Sequence, residues 1–249
     1  MALKLCHSLK FLEKIWFIYS QRIHKFLIDD NANFFLKPND IISHRPTLFG
    51  YHEPLIEQLI DGASAEYPHF FLDLGANIGL TSSLVGNHFQ RVDCVEPNEF
   101  VFNILKTNLA MNLNAKNYHC HMIGLGKKDE TLNLIVPKDN FGGAFVDKEN
   151  PIFTKKQREL SGAVLEVQVQ IKNSENWLTE YFSTMKNNNL TKGIIKIDVE
   201  GYEEIIFNSL IDTLPKNFDV MVIMENWFDH FPIQKFKSSK HNLVWYYFK

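Results

Sequence analysis

Between Leu5 and Phe26 the apolar residues Leu5, Leu9, Leu12, Trp16, Tyr19, Ile23 and Phe26 recur at alternating spacings of four and three, which draws one stripe down a helix. Lys4, Lys10, Lys14, Arg22 and Lys25 accompany the stripe, and Glu13 is the only acid before Asp29. From Phe70 the rhythm changes to short apolar runs, each followed by helical spacing. Phe70, Phe71 and Leu72 read as a buried strand closed by Asp73, with a helix beginning near Ile78. A second strand at Val92–Val95 leads through Pro97 and Asn98 into a helix whose buried side is Val101, Ile104, Leu105 and Leu109. Tyr118–Met122 reads as a third strand, and Gly193–Ile197 and Asp219–Met224 resume the buried pattern. Alternating strands and helices of this kind predict a mostly parallel twisted sheet with helices on both faces. Leu132, Leu134 and Val136, and later Leu165, Val167, Val169 and Ile171, alternate with other residues as half-exposed strands do. The stretch 127–172 is therefore expected to be a β insertion between core strands three and four. Trp177 falls in a helical segment after Ser174, where it is expected to pack.

Composition narrows the picture. With 249 residues and 45% hydrophobic content the chain buries a sizeable core, read as an N-terminal helix and lead-in over 1–60 and one domain over 61–249. Lys plus Arg total 26 against 29 Asp plus Glu, so a net charge of −3 gives no reason to expect a nucleic-acid partner. Three cysteines, Cys6, Cys94 and Cys120, have no CxxC spacing and suit reduced thiols in a cytoplasm. The longest apolar run near the start, Ile15–Tyr19, is too short for a signal-peptide core or a membrane span. The basic amphipathic helix suits packing on its own domain or on a second subunit, and the alternative is peripheral contact with an anionic membrane at its inner face.

The chemistry starts at FLDLGANIGL. Gly75 and Gly79 bracket a tight turn above which a ligand sits, because a missing Cβ permits positive φ and close approach. GxGxxG is not met: Asp73 precedes the first glycine, and Asn77 stands between the two. An acid at that strand end repels a pyrophosphate but accepts hydrogen bonds from a cationic ligand, which points to S-adenosylmethionine. Glu96, twenty-three positions beyond Asp73 at the end of the second strand, is placed to hold ribose hydroxyls.

FLDLGANIG, VEPN at Val95–Asn98 and IIKIDVEGYE at Ile194–Glu203 resemble the FkbM family of S-adenosylmethionine-dependent methyltransferases. The GLG turn at Gly124–Gly126 and the NFGG segment at Asn140–Gly143 match further, so the likeness runs from about Phe70 to Glu225. It implies a Rossmann-like class I methyltransferase fold and methyl transfer, commonly to a hydroxyl oxygen. By position it makes Asp73, Gly75, Asn77, Gly79, Glu96 and Asn98 cofactor residues and puts Asp198, Glu200 and Gly201 in the site. The implied fold ends in a strand hairpin, whereas twenty-four residues follow Glu225 and suggest one last strand at Leu243–Phe248, abbreviated or completed by another subunit.

In an open α/β sheet Asp73, Glu96, Asp198 and Glu225 all fall at carboxyl ends of strands and converge on one crevice. Asp198 is the first candidate for the base that takes a hydroxyl proton. Lys196 in an otherwise apolar strand needs a carboxylate partner, and pairing with Asp198 lowers that acid's basicity, which keeps Glu200 as the alternative. His121 is expected near the adenine edge, and Asn140, Gly142, Gly143 and Glu225 near the acceptor. Asn226, Trp227 and Phe228 follow Glu225 at the crevice edge, where the aromatic pair either stacks on a sugar or packs. No resident metal is expected: His119 and His121 are two imidazoles on one strand and do not complete a zinc site. The favoured activity is O-methylation of a hydroxyl on a sugar, glycan or small metabolite by a cytoplasmic enzyme, with homo-oligomerisation open. The alternatives are a nicotinamide-dependent oxidoreductase and a non-catalytic docking protein that keeps the fold.

Overall fold

The computed structural model describes residues 33–36, 40, 42–43, 46, 53–114, 116–138, 140–146 and 163–224. The expected N-terminal amphipathic helix, Glu225, the segment 226–228 and the last strand at 243–248 lie outside the described residues. No helix among the described residues is long and apolar enough to cross a membrane.

Along the chain run α1 (Pro54–Ser64), β1 (Phe70–Leu74), α2 (Leu80–Val85), β2 (Arg91–Val95), α3 (Glu99–Asn112) and β3 (Tyr118–His121). Then come β4 (Gly124–Gly126), β5 (Glu130–Pro137), β6 (Phe145–Val146), β7 (Val164–Asn173), α4 (Ser174–Asn187), β8 (Lys192–Ile197), α5 (Glu203–Thr213) and β9 (Asp219–Met224). The main sheet has five parallel strands in the order β3-β2-β1-β8-β9. The chain winds outward from β1 in one direction and resumes at β8 in the other, so the strand order reverses between them. Ligands of open α/β sheets sit beyond the carboxyl ends at such a reversal.

Why FFLDL makes a central strand follows from its alternation. Phe70, Leu72 and Leu74 enter one apolar cluster with α4 and α5, through Leu178, Phe182, Phe207 and Leu210. Phe71 enters the opposite cluster with Val92, Cys94, Leu105, Leu109 and Ile60 of α1. A strand covered on both faces must be apolar throughout, and each fully buried Phe or Leu contributes about 2 kcal/mol.

The insertion folds as a second sheet, ordered β4-β7-β5-β6, over the expected region. Gly124–Gly126, read from sequence as a turn, is instead a short strand pairing in parallel with Ile171–Asn173. A side chain at either glycine would meet Ile171. Leu134, Val136, Val169 and Ile171 form the apolar side of this sheet.

Candidate functional site

Register alone assembles the centre of the site. Asp73 of β1 lies opposite Lys196 of β8 and Cys94 of β2, so their side chains share one face of the sheet. Ser82 of α2 donates to Asp73 Oδ2 at 2.5 Å, and the Cys94 thiol donates to Ser82 Oγ at 3.2 Å. Asp73 is thereby fixed from the core side. Its other oxygen, Oδ1, accepts no hydrogen bond, although the residue is 1% exposed. Lys196 Nζ stands 3.7 Å from that oxygen and donates to Asp198 Oδ2 at 3.0 Å, so the lysine has the carboxylate partner its surroundings demand. Burial alone would depress the Lys196 ammonium, but Asp198, Asp73 and Glu53 outweigh it and hold it charged well above the usual lysine range.

The turn after β1 is shaped by a close backbone approach. Gly75 has φ 83°, and a Cβ there would overlap the carbonyl oxygen of Asp198. Asn77 follows at φ 52°, and Glu200 beyond β8 also takes φ 52°. Two non-glycine residues in the left-handed region therefore border the same space, the kind of local strain that functional sites retain. Glu96 links turn and strand: its Oε2 accepts from Asn77 N at 3.0 Å and its Oε1 from Asn98 N at 2.8 Å. Burial raises the Glu96 carboxyl to about 7 against the opposing effect of those two bonds.

These groups surround a cavity of about 270 Å³. One wall is polar, with Asp73, Gly75, Asn77, Glu96, Lys196, Asp198 and Glu200; the other is the apolar side of the second sheet, with Leu134, Phe145, Val169 and Ile171. Phe141 and Gly142 also line it. Asp40 anchors that turn by accepting from Phe141 N at 2.8 Å, and a Cβ at Gly142 would strike the Asn77 amide and Ile42. Lys196 is the one basic residue in the lining among the described residues. Among the described residues no three His, Cys, Asp or Glu side chains stand together as a metal would need.

Several residues singled out from sequence sit elsewhere. Gly79 precedes α2 at φ 77° with Leu105 packed against it. Asn98 caps α3, its side chain accepting from Phe100 N at 3.2 Å. Asn140 accepts from Gly143 N at 3.1 Å and so closes its own turn; neither lines the cavity. His121 is also outside the lining, contrary to the expectation of an adenine contact. Its Nε2 lies 3.0 Å from Asp93 Oδ1, and its ring meets Trp177 edge-on at 5.4 Å. Period two explains this: Asp93 and Val95 point toward α4 and α5, and His121 lies level with Val95 on the neighbouring strand.

Sequence reasoning missed Glu53. It stands immediately before α1 with Pro54 as first helical residue, a pattern that reads as an ordinary helix start, yet the residue lines the cavity. Burial raises its carboxyl; Lys196 opposes the shift, and Asp198, Asp73 and Glu57 add to it.

Residues 73–247 match the model of the methyltransferase FkbM domain. The chain is also 26% identical over 203 residues to methyltransferase sdnD of Sordaria araneosa, an alignment covering 75% of this chain and 77% of the relative.

Proposed function

Because the chain belongs to the FkbM methyltransferase family, we propose that it uses S-adenosylmethionine to methylate a hydroxyl oxygen of a sugar, glycan or small metabolite. The observation that carries this reading is the cavity at the carboxyl ends of β1, β2 and β8, lined by five carboxylates against one lysine that is already paired. Such a field favours a cationic ligand and disfavours the pyrophosphate of a nicotinamide cofactor.

The residues present suit the cofactor. Asp73 offers a buried oxygen that accepts no hydrogen bond, and Asn77 offers a second in its side-chain Oδ1. A carboxylate has about four acceptor positions, so Glu96 keeps room for two hydroxyls beyond its two backbone donors. When bound, S-adenosylmethionine supplies an electrophilic methyl group on a sulfonium centre. The chain's own work is then alignment. Asp73 and Asn77 hold cationic and polar groups, Glu96 holds ribose hydroxyls, and Asp198 and Glu200 orient the acceptor. Leu134, Phe145, Val169 and Ile171 exclude water from the opposite side.

Calorimetry with S-adenosylmethionine and S-adenosylhomocysteine tests the proposal, repeated on Asp73→Ala and Glu96→Ala. Saturable binding abolished by both substitutions in folded proteins supports it and justifies screening hydroxylated acceptors. The absence of both heat and thermal stabilisation with either ligand would overturn it.

A further inference from the structure

Methylating a hydroxyl releases a proton inside the cavity, and the acids around it are not equally able to accept one. Asp73 already accepts from Ser82 and faces Lys196. Asp198 already accepts a hydrogen bond from the Lys196 ammonium at 3.0 Å. Burial raises the Glu96 carboxyl to about 7, but its oxygens already receive two backbone N–H groups and are assigned above to ribose hydroxyls. Glu200 is engaged in an interaction of its own, although its buried Oε2 accepts no hydrogen bond. Glu203, just beyond, accepts from Val199 N and Gly201 N.

Glu53 differs from all of these. Its backbone amide donates to Glu57 Oε1 and its carbonyl accepts from Glu57 N, but among the described residues its carboxylate accepts no hydrogen bond. Glu53 nonetheless lines the cavity, and its carboxylate feels the charges of Lys196, Asp198 and Asp73. It reaches the site from the position just before α1, ahead of residue 73 where the family match begins. The charged groups facing it are Lys196 and Asp198 at the end of β8 and Asp73 of β1, with Glu57 on its own helix.

Resting on the methyl-transfer reading above, we propose that Glu53 is the proton acceptor of the reaction. The acceptor oxygen bonds to the methyl carbon, the carbon–sulfur bond breaks with its electron pair going to sulfur, and the hydroxyl proton passes to a Glu53 carboxylate oxygen. Charge in the cavity is then conserved: a sulfonium beside a carboxylate becomes a neutral sulfide beside a carboxylic acid. Burial already biases Glu53 toward the protonated form, so the proton is retained once the positive charge is gone.

This charge exchange is measurable without an acceptor, because S-adenosylmethionine and S-adenosylhomocysteine reproduce the two charge states. Each is titrated calorimetrically into the full chain, between about pH 5 and 8, in buffers of different ionisation enthalpy, which counts the protons released. The cationic ligand should release more protons than the neutral one, by up to about one, at the pH where the difference peaks. Glu53→Gln should abolish that difference while still binding both ligands, and Glu53→Asp should keep it. Thermal melts of both variants establish that they are folded. Equal proton counts for the two ligands in the native chain, or a difference that survives Glu53→Gln, overturn the assignment while leaving the methyltransferase reading intact. A difference lost in Glu96→Gln but kept in Glu53→Gln moves the role to Glu96 and also overturns it. If the native chain binds neither ligand, the methyl-transfer reading fails, and this inference with it.

Discussion

Two buried acid–base clusters lie on opposite faces of the same sheet, and only one borders the cavity. On β2, Asp93 is fully buried: Arg91 Nε donates to its Oδ2 at 2.7 Å, Arg91 Nη2 to its Oδ1 at 3.0 Å, and His121 Nε2 completes Oδ1 at 3.0 Å. Burial would raise the Asp93 carboxyl, but the bonds from His121 and Arg91 outweigh it and hold it below the usual range. On β1, Asp73 is buried to the same degree and has a lysine nearby, yet one oxygen accepts no hydrogen bond and the residue lines the cavity. Burial is alike in both clusters. What separates a strut from a site is hydrogen-bonding capacity left unmet at a cavity wall.

The sharpest way to break the comparison is Asp93→Ala. It leaves Arg91 and His121 without their shared acceptor, and stability should fall by about 3–5 kcal/mol. Denaturant unfolding measures the loss, and S-adenosylmethionine affinity of the folded protein should stay unchanged. A protein of native stability that no longer binds the cofactor would place Asp93 in the site and erase the distinction.

The pH profile of stability separates the clusters next. The fold holds the Glu96 proton up to about 7, whereas the unfolded chain releases it near 4.5. Its contribution is therefore complete below about 4.5 and is lost as pH rises through about 7, a decline of up to about 3 kcal/mol. Glu53 and Glu203, also raised by burial, act in the same direction. Asp93 has the opposite sign: its contribution is present above its unfolded value and is lost as pH falls through its lower folded value. Unfolding free energy measured at a series of pH values should thus rise from pH 8 toward about 5 and fall again in strong acid. A profile that climbs steadily with pH would show that Glu96 is ionised in the apoprotein.

Much of this architecture was legible because it follows from period. The run Phe70–Leu74 must be covered on both faces, and the two-residue repeat pairs Lys196 with Asp198. The acids at the strand ends converge because carboxyl ends of parallel strands face one way. Facing was harder to read. A two-residue repeat says that His121 and Val95 are level but not which face carries the ligand, and His121 proved to point toward Trp177. Glu53 was invisible for a different reason: no local pattern marks an acid that arrives from the start of a separate helix, twenty residues before Asp73. Asn140 and Gly143 illustrate a third limit, since an Asn three residues before a Gly fits a self-closing turn as well as a binding loop.

Asp73→Asn sharpens the contrast from the site's side. The amide oxygen can still accept from Ser82, so the fold should lose much less than in Asp93→Ala. Removing the charge should weaken S-adenosylmethionine binding by about 2 kcal/mol, or roughly thirtyfold in Kd by calorimetry. Affinity within twofold of the native chain would mean that the unmet oxygen of Asp73 is not where the cationic ligand binds.

The smallest effect belongs to a residue that straddles the two categories. Asn98 is fully buried and donates its backbone N–H to Glu96 Oε1, inside the site, while its side chain accepts from Phe100 N and caps α3 outside it. Asn98→Ala keeps the first bond and deletes the second. Losing an Asn cap costs about 1 kcal/mol, which for a domain of this size lowers Tm by about 2–4 °C. The cost should fall at the low end, because the Asn98 Nδ2 removed with the cap is itself buried without a hydrogen bond. Cofactor affinity should not change, since the backbone amide that orients Glu96 survives. A tenfold loss of S-adenosylmethionine affinity at unchanged Tm would instead show the Asn98 side chain working as a ligand, and unmet hydrogen bonding at a cavity wall would no longer be the criterion that tells site from strut.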